Sequence, residues 1–253
     1  MSAYLKNPAA WQESWDRQQE AFMPDREERF AAMLNAVAAV TDGDEPRLLD
    51  LAGGTGSISL RLLARFPRAR VTVLDQDPVL LAMAESSLRD RGTVVDADLS
   101  DPGWRAKLPG EPFDAVLTAT ALHWLPPERV GALYAEVREV LRPGGVFANA
   151  DHMEDEGLPG LSEKLRAHRD RVREARYATG AATSWPRWWE LAGADEQLAA
   201  KAVERARIYP EKHHDFEWIP PATWHVEALR TAGFREAGIL WRGGTDAAVA
   251  GLK

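Results

Sequence analysis

The stretch that decides the fold is RLLDLAGGTG (47–56), which leads directly into SISLRLLARF (57–66). The short apolar run predicts a buried strand, and the second segment predicts a helix. Glycines between a strand and a helix let the backbone turn sharply and let a ligand approach the main-chain N–H groups at the helix N-terminus. Many nucleotide-binding folds share this loop, so the loop alone predicts a ligand site but not its ligand.

Two details of the sequence narrow the choice of ligand. A dinucleotide loop of the G-x-G-x-x-G kind, set on Gly54 and Gly56, would require Gly or Ala at Ser59, and no Lys follows Gly56 as in a phosphate-binding loop. The loop therefore favours a nucleoside over a pyrophosphate. The next predicted strand ends at Asp75, where a carboxylate can accept hydrogen bonds from both ribose hydroxyls. A solvated aspartate at the strand end is the alternative.

From Arg47 to Asp151 short apolar runs alternate with helical stretches. This alternation predicts βαβ units, a parallel sheet covered on both faces, and right-handed crossovers. The expected fold class is therefore α/β, with a doubly wound sheet whose ligands bind at the carboxyl ends of the strands.

Outside that region the pattern changes. We expect a single domain over residues 1–253, divided into N-terminal helices (1–45), a cofactor-binding core (46–151), a helical substrate lid (152–221) and a last helix with two closing strands (222–253). Within the lid, helices are predicted over 161–177, with Leu161, Leu165, His168 and Val172 on one face, and over 195–207. Trp- and Pro-rich connectors join them.

Composition excludes several classes. The chain of 253 residues has no Cys, which removes disulfide scaffolds, Cys-based zinc modules and cysteine nucleophiles. The net charge of -8 argues against a broad nucleic-acid or anionic-membrane surface. No apolar run approaches the length of a membrane span, and no basic segment followed by an apolar one opens the chain, so we expect a cytoplasmic protein. The oligomeric state is left open.

Five motifs in order carry a family resemblance: LLDLAGGTG (48–56), VTVLDQDP (71–78), VVDADLSD (94–101), FDAVLTATALHWL (113–125) and LRPGGVF (141–147). Together they resemble the Rossmann-like, class I S-adenosylmethionine-dependent methyltransferases of small-molecule type. The resemblance covers residues 47–151 closely and the C-terminus more loosely. It implies a seven-stranded, mostly parallel sheet with a reversed last hairpin, and S-adenosylmethionine as the cofactor.

The resemblance also assigns roles. Asp75 would hold the ribose hydroxyls, Asp98 and Leu99 would bind adenine, and Asp50 would orient the glycine loop. Ala52 stands where family members commonly carry Gly, and we expect it to be tolerated. The implied cofactor-binding residues are Asp50, Gly53, Gly54, Gly56, Asp75, Gln76, Asp98, Leu99 and Thr118.

Methyl transfer requires a general base only when the acceptor must lose a proton. The candidate catalytic residues are His123 in ALHW, His152 directly after the fifth strand, and His214 in the lid. For each, a structural or solvated histidine is the alternative. A metal cluster built from His152, His214 and neighbouring groups has no diagnostic spacing, so no metal is predicted.

Ten Trp is a high number, and seven of them lie in the N-terminal helices and in 185–224. Such a set can line an apolar acceptor pocket, although for any single Trp core packing is the simpler interpretation. The leading hypothesis is a methyltransferase that acts on an O, N or C atom of an apolar or aromatic small molecule, in secondary metabolism. The alternatives are an NAD(P)-dependent oxidoreductase and a non-catalytic S-adenosylmethionine-binding protein.

Overall fold

The computed structural model describes residues 4–110, 112–210 and 217–253. Its strands follow the apolar runs of the sequence. They are β1 (Arg47–Leu51), β2 (Arg70–Asp75), β3 (Gly92–Asp96), β4 (Phe113–Ala119), β5 (Leu141–His152), β6 (Glu236–Gly243) and β7 (Asp246–Leu252). Within the described residues they form one seven-stranded sheet in the order β3-β2-β1-β4-β5-β7-β6.

The first five strands pair in parallel, whereas β7 runs antiparallel to both β5 and β6. This topology confirms the predicted doubly wound sheet with a reversed last hairpin. The strand order reverses between β1 and β4, because β1 leads to β2 on one side and β4 leads to β5 on the other. The carboxyl ends of β1 and β4 therefore flank the crevice where such sheets bind ligands.

Helices cover both faces of the sheet, precede it and form the insertion after β5. Neighbouring residues of β1 show why both faces must be covered, because Leu48 packs into one buried apolar cluster and Leu49 into the other. The helices are α1 (Pro8–Phe22), α2 (Arg26–Val40), α3 (Ser57–Arg65), α4 (Pro78–Leu88), α5 (Pro127–Val140), α6 (Pro159–Ala178), α7 (Trp185–Ala194), α8 (Ala199–Ile208) and α9 (Ala222–Thr231).

The insertion differs from the prediction in one element. Helix α7 occupies a stretch that the sequence predicts as a Trp- and Pro-rich connector. Pro186 lies in the first turn of α7, after Ser184 at the N-cap position. Proline is tolerated there because the first N–H groups of a helix have no intrahelical partner, so Pro186 marks a helix start rather than a break.

Helix α6 packs with an unexpected face inward. Leu161 and Val172 lie on the predicted apolar face, yet they are 50% and 41% exposed. The inward face is polar instead, and Arg169 on it donates a hydrogen bond to Thr245 Oγ1 at 3.1 Å. Arginines thus fasten helix α6 to the rest of the protein. Arg169 lies close to Asp246, which is opposite the last residue of β5. Over the described part of the chain, no helix is both long and apolar enough to cross a bilayer.

Candidate functional site

A cavity of about 1150 Å³ opens at the carboxyl ends of the parallel strands. Its floor is the first part of the glycine loop, with Asp50, Ala52, Gly53 and Gly54, and its walls include residues of α1, α2, α7 and α8. Typical small-molecule sites measure roughly 300–1,000 Å³. The cavity is therefore large enough for two small molecules side by side.

The glycine loop is held against the tip of β2. The Gly53 N–H donates to the carbonyl of Leu74 at 3.0 Å, and the Gly54 N–H donates to Asp75 Oδ2 at 2.8 Å. A Cβ atom at Gly53 would lie 2.6 Å from Cγ of Asp50, and Gly54 has a φ of +56°. The loop requires glycine at both positions, because a side chain at Gly53 would collide with Asp50 and Gly54 is left-handed.

Asp50 anchors the start of α3. Its Oδ2 accepts hydrogen bonds from the N–H and the hydroxyl of Ser59 at 3.0 and 2.8 Å. These bonds explain why serine occupies the position where a dinucleotide loop has Gly or Ala. Oδ1 of Asp50 is buried and has no hydrogen-bond partner among the described residues. Burial raises the pKa of Asp50 to about 7, although the Ser59 hydrogen bonds oppose the shift.

Two residues beside the cavity have strained backbones. Ala52 has a φ of 52° and Thr120 a φ of 50°, and both line the cavity. The left-handed region costs a residue with a side chain roughly 1–2 kcal/mol. Strain of this kind concentrates at ligand sites, because the surrounding structure must hold it in place.

The strain at Ala52 makes a prediction. Ala52→Gly is expected to stabilise the protein by about 1 kcal/mol, since glycine adopts a φ of 52° without steric penalty. Thermal unfolding of the unliganded protein should then shift upward by ~2–4 °C. The matched control is Ala31→Gly in the exposed face of α2, which should lower stability by about 1 kcal/mol because its backbone is helical. A lower melting temperature for Ala52→Gly would contradict the account.

Asp75 lies at the tip of β2 and lines the cavity. Its Oδ1 accepts hydrogen bonds from the N–H groups of Gln76 and Asp77 at 2.8 and 2.9 Å. Burial raises the pKa of Asp75 to about 6, and the nearby Asp77 carboxylate adds to the shift. Gln76 also lines the cavity. The two carboxylates Asp50 and Asp75 thus give this end of the cavity a negative field.

Asp98 and Leu99 lie after β3 and line the same end. Asp98 is exposed, and its carboxylate accepts hydrogen bonds from the N–H and the hydroxyl of Ser100 at 2.7 and 2.6 Å. Leu99 is buried against the apolar core. The pair therefore places one carboxylate and one apolar side chain beside the floor.

Two residues assigned to cofactor contact lie elsewhere. Gly56 has a φ of +76°, and a Cβ there would meet Val73 at 3.3 Å, so it serves the close packing of the loop on β2. Thr118 is fully buried inside β4, in register with Asn149 of β5. Neither is among the described residues that line the cavity, whereas Ala119, which ends β4, is. β4 thus ends one residue beyond Thr118, and the contact implied for Thr118 stays a prediction.

His123 lies at the opposite end of the cavity from the carboxylates of the glycine loop. Its Nδ1 donates to Oδ1 of the buried Asp151 at 2.8 Å, and its Nε2 is 3.9 Å from Oε1 of Glu217. Burial alone would lower the pKa of His123, but the Asp151 carboxylate outweighs burial and leaves that pKa raised. The pKa of Asp151 is lowered, because His123 outweighs the effect of burial there.

His152 ends β5 and also lines the cavity. Its Nδ1 is 2.7 Å from Oδ1 of Asp246, the residue opposite it in β7. Asp246 in turn pairs with the fully buried Arg29 of α2 and lies 3.5 Å from Arg169 of α6. The His152 and His123 rings are 6.1 Å apart between centroids. The fold thus brings two carboxylate-bound imidazoles together at one end of the cavity.

The third candidate, His214, lies outside the described residues, as does its neighbour His213. Among the residues that the structure does describe, no group of three His, Asp or Glu side chains is arranged to hold a metal ion.

Tryptophans from α1 and α7 form one cluster over the cavity. Trp15, Trp185 and Trp189 line it, whereas Trp188 is buried behind them with its ring 5.0 Å from that of Trp15. The indole N–H of Trp188 donates to Ser14 Oγ at 3.1 Å, which ties α7 to α1. The two segments outside the sheet therefore close this side of the cavity together.

The other predicted roof residues lie elsewhere. Trp218 and Trp224 pack against each other with centroids 4.5 Å apart and against the apolar cluster that contains Leu49; neither lines the cavity. The Trp218 N–H donates to the carbonyl of His123 at 2.9 Å. These two tryptophans support the backbone of His123 rather than the roof.

Helix α8 is fastened to the start of α4 beside Asp75. Arg205 Nε donates to Asp77 Oδ2 at 2.6 Å, while the Arg205 guanidinium lies 3.5 Å above the Trp189 ring. Asp77 also caps α4 by accepting a hydrogen bond from the Val79 N–H at 2.9 Å. We call the contact of Arg205 with Asp77 and Trp189 the α8 latch. Arg205 and Asp77 both line the cavity.

Sequence reasoning missed three residues of this site. Asp246 opens an otherwise apolar strand, DAAVAGL (246–252), and Arg29 interrupts the apolar stripe of α2 next to Phe30 and Met33. A charge in an apolar pattern was the available signal for both. Arg205 carried no such signal, because it lies in a helix with several charged residues.

The strand order β3-β2-β1-β4-β5-β7-β6 with an antiparallel β7 is the Rossmann-like methyltransferase fold. PigF with SAH, a solved structure, superimposes with a TM-score of 0.57 at 18% identity, over 98% of this chain and 59% of that one. Residues 48–145 match the family model described as a methyltransferase domain. Residues 48–145 thus form a methyltransferase domain, similar to the class I S-adenosylmethionine-dependent methyltransferases, whose cofactor is S-adenosylmethionine. This similarity favours methyl transfer over the nicotinamide-dependent alternative.

Two curated relatives are similar in sequence. The trans-aconitate 2-methyltransferase of Azoarcus sp. is 33% identical over 135 residues, which cover 53% of this chain and 49% of the relative. The ubiquinone/menaquinone biosynthesis C-methyltransferase of Methylobacterium nodulans is 35% identical over 127 residues, which cover 50% and 49%. The matched part of this chain thus spans about half the length of these relatives.

Proposed function

We propose that the protein transfers a methyl group from S-adenosylmethionine to an apolar or aromatic small molecule. The observation that carries the proposal is the division of one cavity into two ends. Carboxylates and the glycine loop, at or after the ends of β1, β2 and β3, line one end, while the two imidazoles, after β4 and at the end of β5, line the other, and tryptophans of α1 and α7 roof the cavity. A cationic cofactor fits the first end, and an acceptor with an apolar body fits beside the imidazoles under the roof.

The residues at the carboxylate end fit the cofactor. Asp75 is placed to accept hydrogen bonds from the ribose hydroxyls, and Leu99 to cover adenine beside Asp98. The unpartnered Oδ1 of Asp50 is a buried acceptor that a ligand ammonium group would satisfy. When bound, S-adenosylmethionine supplies a methyl group on a positively charged sulfur.

The protein's own contribution is placement and exclusion of water. The tryptophan cluster closes the roof, so an acceptor inside would be desolvated. The matched relatives act, by their names, on trans-aconitate and on a quinone precursor, which supports a small-molecule acceptor. His123 and His152 are the candidate groups to hold the acceptor or to receive its proton. Residues 152–221, which contain α6, α7 and α8, would act as the substrate lid.

The test is incubation of the protein with methyl-labelled S-adenosylmethionine and a panel of phenols, carboxylic acids, amines and quinols. We expect label in at least one small molecule, with equimolar S-adenosylhomocysteine formed. Tight cofactor binding without labelled product from any panel member would instead support the non-catalytic alternative. Absence of cofactor binding would contradict the proposal outright.

The α8 latch makes a second prediction. Arg205→Met should speed release of S-adenosylhomocysteine about 10-fold or more, because it breaks a largely buried ion pair with Asp77 and a cation–π contact with Trp189. Stopped-flow tryptophan fluorescence measures the rate, with Trp189 as a reporter beside the site. Arg207→Met, in the same helix but exposed, is the matched control. Equal release rates from both variants and the wild type would exclude a role for the latch in retaining cofactor.

A further inference from the structure

Both imidazoles at the acceptor end are fixed in the same way. Nδ1 of His123 is committed to Asp151, and Nδ1 of His152 is committed to Asp246, at 2.8 and 2.7 Å. A carboxylate on Nδ1 holds the ring and leaves Nε2 as the nitrogen for a ligand. Because both side chains line the cavity with ring centroids 6.1 Å apart, one small ligand group can meet both rings.

The charges around these rings favour an anion. Asp246 is shared between His152 and two arginines, Arg29 and Arg169, so its single negative charge does not neutralise its surroundings. Arg29 is fully buried, which leaves its charge poorly screened by solvent. The His152 side of the site therefore carries excess positive charge.

Beside His123, Asp151 and Glu217 are the facing carboxylates. Oδ1 of Asp151 accepts hydrogen bonds from His123 Nδ1 and from the backbone N–H of His152. Glu217 is different, because its side chain is 46% exposed and its Oε1 lies 3.9 Å from His123 Nε2, beyond hydrogen-bond distance. A carboxylate of this chain already approaches the position that a ligand carboxylate would take, and it is free to withdraw into solvent.

The opposite end of the cavity has the reverse charge. Asp50, Asp75 and Asp98 line it, and Asp77 there is paired with Arg205. The charged groups are thus separated along the cavity: carboxylates, with Arg26 beside Asp50, where the cofactor is proposed to bind, and imidazoles with their own carboxylates and, behind His152, two arginines where the acceptor is proposed to bind. A neutral acceptor would gain nothing from this separation, whereas an acceptor oxyanion would.

We propose that the acceptor carries an acidic oxygen, a carboxylate or a phenolate, on an apolar or aromatic body, and binds as the anion with that oxygen at Nε2 of His123 and His152. The inference rests on the proposed function. Nε2 meets an oxyanion only as an N–H donor, so the ring that binds it is an imidazolium: a phenol passes its proton to Nε2 of His123 as it binds, whereas a carboxylate binds after the ring has taken a proton from solvent, and the ring releases that proton to solvent after the transfer. The oxygen then forms the new O–CH3 bond as the S–CH3 bond breaks, so the oxyanion and the sulfonium both become neutral and no proton moves in that step.

The aromatic roof agrees with this acceptor class. Trp15 and Trp185 line the cavity with ring centroids 5.7 Å apart, and Phe22 lies 6.2 Å from Trp185. These rings line the same cavity as the imidazoles and offer flat apolar surface for the body of the acceptor.

The experiment uses the protein saturated with S-adenosylhomocysteine, so that no turnover occurs, and measures binding by calorimetry. Trans-cinnamate is compared with cinnamamide, and 4-nitrophenolate at pH 8 with 4-nitroanisole. We expect at least one anion to bind 10-fold or more tightly than its neutral analogue, and the two pairs distinguish a carboxylate site from a phenolate site. Equal binding within both pairs, or no binding of either anion at millimolar concentration, would overturn the inference.

Single substitutions test which side chains cause the preference for an anion over its neutral analogue. His123→Gln and His152→Gln should each reduce the anion preference several-fold, whereas His168→Gln on the exposed face of α6 should leave it unchanged. His152 is the more exposed of the two, so His152→Gln keeps the test valid if His123→Gln fails to fold. Glu217→Gln should increase the preference, because it removes the competing carboxylate. If the protein does not bind S-adenosylhomocysteine in the first place, the proposed function fails; if it binds but shows no anion preference, only this inference fails.

Discussion

Asp75→Ala is expected to weaken binding of S-adenosylmethionine by about 100-fold or more. Two hydrogen bonds from ribose hydroxyls to a carboxylate contribute roughly 1.5–3 kcal/mol each, and every 1.4 kcal/mol is tenfold in affinity. The substitution also leaves the N–H groups of Gly54, Gln76 and Asp77 without their acceptor, which loosens the floor of the site. Isothermal titration calorimetry on the purified variant measures the effect directly.

Two further variants interpret that result. Asp75→Asn keeps the shape and one acceptor oxygen, and it should lose about tenfold in affinity if the loop stays intact. Asp96→Ala is the matched control, because Asp96 ends the neighbouring strand in register with Asp75 but is exposed. Affinities equal to wild type for Asp75→Ala would contradict the assignment of this carboxylate to the cofactor.

Cofactor affinity is also expected to fall steeply at acidic pH. Burial raises the pKa of Asp50 to about 7 and that of Asp75 to about 6, and the pKa of Asp77 is raised as well. A cationic cofactor requires the ionised carboxylates, so binding must release protons in this window. Between pH 8 and 5.5 we expect a loss of roughly 10- to 100-fold, as proton linkage requires.

Asp50 and Asp75 also determine how the stability of the unliganded protein changes with pH. In the unliganded protein, folded Asp50 and Asp75 hold protons at pH values between about 4 and 7 where the unfolded chain has lost them. Their contribution to stability is therefore greatest at the acidic end of that window and falls as pH rises. Calorimetry in buffers of different ionisation enthalpy counts the protons released. An affinity that is constant from pH 5.5 to 8 would show that these carboxyls do not meet the cofactor.

The sheet could be predicted from the sequence because each parallel strand is a continuous apolar run bounded by turn residues. The motifs in residues 47–151 were sufficient to name the family, and the match over residues 48–145 confirms it. Helix α7 was missed because its stretch was interpreted as a Trp- and Pro-rich connector, although Pro186 lies in the first turn of the helix. The inward face of α6 was not predictable, because its partners are ion pairs with distant segments rather than apolar contacts.

The candidate site, like the fold, could be predicted from the sequence only in part. Asp50, Gly54 and Asp75 are near each other in a local strand–loop pattern, so spacing alone placed them at one edge of the sheet. Asp246 is 94 residues from His152, and Arg29 is 217 residues from Asp246. Local periodicity contains no information about such pairs, and only the closing hairpin brings them together. Their roles, like those of His123 and His152, remain proposals.

The central claim is that one cavity holds the cofactor at its carboxylate end and the acceptor at its imidazole end. A crystal structure of the protein with S-adenosylhomocysteine tests it most directly. We expect the ribose hydroxyls on Asp75 and the sulfur directed toward the space in front of His123 and His152. An S-adenosylhomocysteine molecule bound outside this cavity, or one whose sulfur is directed away from the two histidines, would contradict the claim.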